Sequence, residues 1–137
     1  MLVYPTRCQL GDIDFMVHMN NARVLRASDF ARVGWYTATG MWGAIKAAGG
    51  SATTAASTIR YRRSIGPFQA FHIRLRLVHW SEKNMYLEQL YVHPTTGFVF
   101  AASYNKQALI GCSAHDVRCC AAACCDHWHT WRGRGLE

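Results

Sequence analysis

The stretch that decides the fold runs from Asp12 to Leu25 and reads DIDFMVHMNNARVL. It places two carboxylates, an imidazole and two side-chain amides in a short loop that leads into an apolar segment with helical spacing. Asparagine is a good N-cap residue, so we expect the loop to end, and a helix to begin, at Asn20 or Asn21. Few loops that only connect elements need so many polar groups, and this loop is therefore the first candidate for a functional site.

Downstream of the loop, apolar and small residues recur at steps of three and four, which predicts an amphipathic helix. These residues are Val24, Ala27, Ala31, Gly34, Trp35, Ala38, Met41, Trp42 and Ile45. Gly40 is expected to break or bend the helix, and Gly49-Gly50 to end it, because glycine adopts backbone conformations that a helix does not use.

The remainder of the chain to about Leu109 alternates with a period of two, which predicts strands. A first strand is expected over residues 3–9, and four more over roughly 53–65, 69–80, 85–93 and 97–109, separated by turn signals. The predicted fold class is α+β, with an antiparallel β-sheet wrapped around one long central α-helix.

The quoted stretch resembles Asp-x-Asp-x-x-Gly-His-Val-Asn-Asn-Ala-x-Tyr-Leu, the signature of hotdog-fold acyl-CoA thioesterases of the hydroxybenzoyl-CoA thioesterase type. It is similar in particular to thioesterase superfamily proteins that read His-Met-Asn-Asn-Ala-Arg-Tyr-Leu. The likeness extends through Asp29–Arg32, Arg60–Ser64 and Tyr86–Glu88, and covers residues 3 to 110. It implies a hotdog fold, an acyl-CoA substrate, and a homodimer or dimer of dimers with its sites near the dimer interface.

Thioester hydrolysis needs a carboxylate that attacks the carbonyl carbon or deprotonates water, and N–H donors for the developing oxyanion. By its place in the motif, Asp14 is the expected base or nucleophile, with Asp12 the less favoured alternative. The resemblance also implies positioning roles for His18 and Asn20, and makes the backbone amides around residues 19 to 24 candidate oxyanion donors. No metal or other cofactor is required.

Structural roles are open for the same residues. Without the resemblance, a capping or loop-closing role is favoured for Asp14, and the resemblance reverses that preference. A histidine in such a loop is more often hydrogen-bonded than proton-carrying, and either asparagine can simply cap the helix. Asp29, on the polar flank of the helix, either approaches the site or pairs with Arg26 or Arg32, and the ion pair is the favoured interpretation.

The net charge of +7 favours anionic partners. Arg62 and Arg63, beside Arg60, are candidate ligands of coenzyme A phosphates, and Asn21 is a further substrate-binding candidate; a solvated strand face is an equally good interpretation of the arginines. Arginines interleaved with Tyr61, His72 and Trp80 suit nucleic acid in principle, but no RNA-recognition sequence accompanies them, so no nucleic-acid partner is expected.

Two positions depart from the family signature. Val17 stands where a glycine usually precedes the histidine, so a β-branched side chain occupies a place where the backbone is expected to need positive φ or close ligand approach. Val24 replaces the usual tyrosine and removes a hydroxyl. A hotdog module that binds acyl-CoA or lipid with little or no turnover is therefore the alternative to an active thioesterase.

Length and composition predict one domain, since 137 residues with 50% hydrophobic content bury a single core. There is no long apolar run or secretory signal pattern, so we expect no transmembrane segment and a cytoplasmic location, although related proteins carry a hydrophobic segment before this domain. Reduced thiols are expected for the six cysteines.

The last part of the sequence changes composition. The hotdog domain is expected over residues 1–110, followed by a tail over 111–137, rich in Cys, Ala, Trp and Arg, that is poorly ordered. Its cysteines and histidines are suitable metal ligands, but they lack two well-spaced Cys-x-x-Cys pairs, so a metal site is the less favoured interpretation.

Overall fold

Five strands form the frame of the protein, which we describe from a computed structural model over residues 1–118. They are β1 (Leu2–Arg7), β2 (Ser51–Tyr61), β3 (Ala70–Trp80), β4 (Asn84–Val92) and β5 (Val99–Ile110). All neighbours are antiparallel, and the order across the sheet is β1-β3-β4-β5-β2. The expected α+β class, with an antiparallel sheet, is confirmed. The strand β2 ends at Tyr61 rather than near residue 65, because the N–H groups of Arg62 and Arg63 both turn to the carbonyl of Phe100.

The helical segment lies against one face of this sheet and consists of two helices, α1 (Asn21–Ala38) and α2 (Met41–Ala47). The expected single long helix is interrupted where the sequence indicated, since Gly40 has a φ of 67° and Gly49, after α2, a φ of 73°. Both angles lie in the left-handed region that glycine adopts without a steric penalty. The break lets α2 turn away from the axis of α1 and still bury Met41 and Ile45.

The core fills the space between α1 and the face of the sheet that it covers, which we call the inner face. Alternate residues of the strands point into it, among them Phe71, Ile73 and Leu75 of β3, which are fully buried. From α1, Ala31 and Trp35 pack onto these side chains. The opposite, outer face of the sheet carries the intervening residues.

A row of buried polar side chains crosses the inner face on the β2 side of the core. Gln89 of β4 and Ser103 and Asn105 of β5 are buried, and Gln89 accepts hydrogen bonds from both of them and from Ser28 of α1. Buried polar groups are stable only when they are paired, and here they are. The network fixes the position of α1 over β4 and β5. These hydrogen bonds were not predicted from the hydrophobic periodicity of the sequence.

The same row continues to Gln107, which receives hydrogen bonds from Tyr36 of α1 and Thr54 of β2. Burial raises the pKa of Tyr36 to about 12, and nearby Arg32 offsets this only in part. The hydroxyl therefore stays protonated and remains a donor at neutral pH.

Beyond β5, residues 114–118 are helical. Ala114 and Val117 are buried in the core, and the N–H of Ala114 donates to the carbonyl of Glu82. The start of the segment expected to be a separate tail thus lies against the domain. Residues 119–137, with the candidate metal ligands among them, lie outside the described residues. No helix in the described part is long and apolar enough to cross a membrane.

Candidate active site

The polar loop between β1 and α1 is a small hairpin that closes at the bridge between Ile13 and Met19. Asp14 lies at its start, where its N–H donates to the carbonyl of His18 and its carbonyl accepts from the N–H of Val17, both at 3.0 Å. Its side-chain Oδ1 accepts from the N–H of Met16 at 2.9 Å. This local bond is the one that aspartate commonly makes in turns, and it holds the carboxylate in a fixed orientation.

The second oxygen of this carboxylate faces the histidine of the motif. Asp14 Oδ2 lies 3.6 Å from His18 Nδ1, and the two side chains are 16% and 31% exposed. The same nitrogen lies 3.3 Å from the carbonyl of Met19. Oδ1 of Asp14 therefore has the loop-closing role expected for this residue, and Oδ2 lies beside the imidazole of His18.

Asp12, the alternative carboxylate, serves the backbone. Its Oδ2 accepts from the N–H of Gln9 at 3.0 Å, and its carbonyl accepts from the N–H of Asn20 at 2.8 Å. The first bond caps the 3₁₀ turn over Leu10–Asp12, and the second joins this turn to the N-cap residue of α1. The geometry favours Asp14 over Asp12 as the reactive group.

Asn20 is the N-cap of α1, and its Oδ1 accepts from the N–H of Ala22 at 2.8 Å. Four further amides of residues 19 to 24 donate to protein carbonyls, so most of the expected oxyanion donors are occupied. Among the described residues, the N–H of Asn21 has no acceptor. It begins a helix, where the dipole favours negative charge, and is the remaining oxyanion candidate from this segment.

The two departures from the signature have different structural consequences. Val17 has a φ of 60°, so the backbone at this position is in the left-handed region, as the usual glycine indicates. A β-branched residue is unfavourable there. Val24 instead is buried in the core, 3% exposed, where an apolar side chain needs no polar partner.

Replacing Val17 with glycine should therefore stabilise the protein by about 1 kcal/mol, since it removes the steric cost of a left-handed β-branched residue. Urea unfolding of both proteins measures this. The matched control is Val33→Gly in the exposed part of α1, which should lower stability by about 0.5 kcal/mol. A loss of stability in both variants would show that the loop gains nothing from glycine.

The tip of the loop is strongly apolar and exposed. Phe15 is 92% exposed, and Met16 and Val17 are 62% and 66% exposed. Adjacent exposed apolar side chains of this size commonly mark a contact surface. This exposed tip was not predicted from the sequence. The signal that could have indicated it is the run of three consecutive apolar residues inside a polar motif.

Arg62 and Arg63 lie beyond the end of β2, away from the regular strand. Both guanidinium groups lie 5.7 Å from the centre of the Phe98 ring, in cation–π contact. Arg63 and Phe98 also line a cavity of about 320 Å³, together with His93, which accepts hydrogen bonds from the N–H groups of Thr95 and Thr96. The guanidinium group of Arg63 gives this cavity a planar cation with several N–H donors, which is the chemistry that binds phosphate.

Other candidate residues lie elsewhere. Asp29 pairs with Arg32, as the helix spacing predicted. The aromatic residues considered for nucleic acid do not share a surface, because the hydroxyl of Tyr61 donates to the carbonyl of Asn21, His72 is on the outer face, and Trp80 packs against the core.

Comparison with known proteins agrees with this geometry. Residues 8–118 match the thioesterase-like superfamily, and the chain belongs to that family. Protein THEM6 of Danio rerio is 43% identical over 111 residues, which are 81% of this chain and 55% of that protein. The chain thus spans about half the length of this curated relative.

Two solved structures show the same fold. The probable thioesterase YbaW from Escherichia coli has a TM-score of 0.77 at 21% identity, covering 81% of this chain and 84% of that one. The gentisyl-coenzyme A thioesterase BH1999 has a TM-score of 0.74 at 20% identity, covering 88% and 99%. At these identities the likeness establishes the hotdog thioesterase fold, and function has to be argued from the site.

Proposed function

We propose that the protein hydrolyses acyl-CoA thioesters, with Asp14 as base or nucleophile. The observation that carries this is the state of its carboxylate: Oδ1 is fixed by the N–H of Met16, and Oδ2 lies 3.6 Å from His18 Nδ1, in the loop that leads into α1. Family membership and the name of BH1999, a coenzyme A thioesterase, support the substrate class.

In this proposal Asp14 Oδ2 either attacks the thioester carbonyl carbon or removes a proton from the attacking water. The N–H of Asn21 and the N-terminus of α1 stabilise the oxyanion. Collapse of the tetrahedral intermediate breaks the carbon–sulfur bond and releases coenzyme A, which takes up a proton to leave as the thiol. If water is the nucleophile, the free acid forms in this step. If Asp14 is the nucleophile, the acyl group stays on its carboxylate as a mixed anhydride, which a water molecule then hydrolyses to the free acid and the regenerated carboxylate. Asn20 acts on the site through the helix start that it caps.

The proposed functional unit is a homodimer. β2 is an edge strand, and most of its residues are exposed in the single chain. An exposed edge of this length is a ready surface for pairing with a second copy. The apolar tip at Phe15 and Met16 is then available to contact the partner or the acyl group. The cytoplasmic location stays a prediction.

The test is release of free thiol from a panel of short, medium, long and aromatic acyl-CoAs by the purified chain. We expect release above the buffer rate for at least one member. Release from none of them, with normal folding, would contradict the hydrolase assignment.

Replacing Arg62 and Arg63 with Gln should weaken binding of coenzyme A, with the larger loss at low salt, because charge-assisted bonds to phosphate are screened by ions. Turnover of short pantetheine thioesters, which lack the nucleotide, should be nearly unchanged. The control is Arg26→Gln on α1, where the guanidinium contacts Phe30. Equal losses with both substrates would indicate a structural role for the two arginines.

The second candidate function is a module that binds acyl-CoA without turning it over. The left-handed conformation of Val17 favours it, because the side chain occupies a place that glycine leaves open beside the proposed base. Under this alternative the wild type binds acyl-CoA but releases no thiol, and Val17→Gly gains measurable hydrolysis.

A further inference from the structure

The outer face of the sheet carries an unusual charge distribution. The five strands contain five cationic side chains, and the strand register places all of them on this face: Arg7, Arg60, Arg74, Arg76 and Lys106. The strands contain a single carboxylate, Glu88, on the same face.

That carboxylate is already occupied. Arg76 Nε and the hydroxyl of Tyr104 both donate to Glu88. Burial opposes its ionisation, but these two hydrogen bonds and the positive charge of Arg76 together outweigh it and hold the pKa of Glu88 below the usual range. Glu88 is therefore an anion compensated by its own neighbours, and the rest of the face has no acidic strand residue to balance it.

Beside this network lies a cavity of about 450 Å³, a volume in the usual range for small-molecule sites. Its walls are Tyr86 and Tyr104, with His79 packed on Tyr86 at a ring distance of 5.4 Å. Small side chains on β2, Ala56 and Thr58, leave the space open.

Two irregularities in the sheet flank the cavity. The register shifts between Leu77 and His79 on β3 and between Thr54 and Ala56 on β2, on either side of the two strands that carry the tyrosines. Bulges re-aim side chains and bend the strand locally. Here the β3 irregularity leaves Val78, 42% exposed, in the wall of the cavity.

Lys106 places a positive charge at this cavity. It lies in one row across the sheet with Ala56 and Tyr86, and it lines the cavity. Within the described residues its ammonium group has no carboxylate in ion-pair range. A half-buried cation at the edge of an aromatic and aliphatic cavity suits a ligand with an apolar body and one negative charge.

We propose that this outer-face cavity is a second binding site, separate from the Asp14 loop, for a small organic anion such as an aromatic carboxylate. The carboxylate pairs with Lys106, and the ring of the ligand packs between Tyr86 and Tyr104 above Ala56. The proposal does not depend on hydrolysis, because none of these residues belongs to the loop between β1 and α1.

The experiment titrates the full chain with 2-naphthoate, and in parallel with the uncharged 2-naphthamide, followed by calorimetry. We expect saturable binding of the naphthoate and at least tenfold weaker binding of the amide. Lys106→Met should weaken naphthoate binding about tenfold, and Ala56→Trp, which fills the cavity, should abolish it. Arg74→Met, on the same face but outside the cavity, is the matched control and should leave binding unchanged.

Unfolding temperatures of the variants verify folding, and Thr58→Trp provides a second cavity-filling variant if Ala56→Trp does not fold. Naphthoate binding that survives either tryptophan would overturn the site. Equal loss on Lys106→Met and Arg74→Met, together with salt-dependent binding of oligouridylate, would show instead a diffuse polyanion surface. Dissociation of a larger assembly by the tryptophan variants, seen in sedimentation, would show an interface between copies and would also overturn the proposal.

Discussion

Asp14→Asn is expected to lower the rate of thiol release from acyl-CoA by a factor of about 100 or more, because a positioned acid–base group contributes that much to proton transfer. The fold should tolerate the change. The amide oxygen of asparagine can still accept from the N–H of Met16, as Asp14 Oδ1 does at 2.9 Å. The melting temperature should therefore stay near that of the wild type.

The matched control for this prediction is Asp29→Asn, which removes a carboxylate whose partner is Arg32 on the flank of α1. It should leave turnover nearly unchanged. Wild-type activity in Asp14→Asn would refute the assignment of Asp14, and loss of turnover only in Asp12→Asn would transfer it to the alternative carboxylate.

Ending the chain at Ile110 should lower the free energy of unfolding by about 2–4 kcal/mol relative to a chain that ends at Arg118. The shorter chain loses the burial of Val117, worth about 1.5–3 kcal/mol for a side chain of this kind, and the hydrogen bond from Ala114 to Glu82. Denaturant unfolding of the two truncated chains measures the difference.

A single substitution isolates the same effect. Val117→Ala should cost about 1–2 kcal/mol, because it removes buried methyl groups and leaves a cavity. Equal stability of the chains ending at 110 and 118 would show that the domain is complete at Ile110, where the sequence analysis placed its boundary.

The sequence predicted the fold well because hydrophobic periods and turn residues are local signals. The break at Gly40 was expected from its residue type, whereas the positive φ at Val17 was expected only from the glycine that the resembling signature carries at this position. Helix capping by Asn20 was also an expected alternative. The places where the helices begin and end can therefore be predicted from residues that are close together in the sequence.

The features that the sequence did not predict depend on residues far apart in the chain. The buried network of Ser28, Gln89 and Asn105 joins α1 to β4 and β5, and no local pattern shows that these polar residues are partners. The packing of Val117 onto the core is similar, because a single buried valine after a composition change carries no periodic signal. Only the strand register shows that the cations share one face.

The most direct measurement for the central claim is a calorimetric titration of the wild-type chain with a non-hydrolysable acyl-CoA thioether, repeated with the chain in which Arg62 and Arg63 are Gln. The proposed acyl-CoA site predicts saturable binding with one ligand per chain, competition by free coenzyme A, and weaker binding by the double variant. Absence of saturable binding to the folded wild type, together with no thiol release from any acyl-CoA in the panel, would contradict the claim.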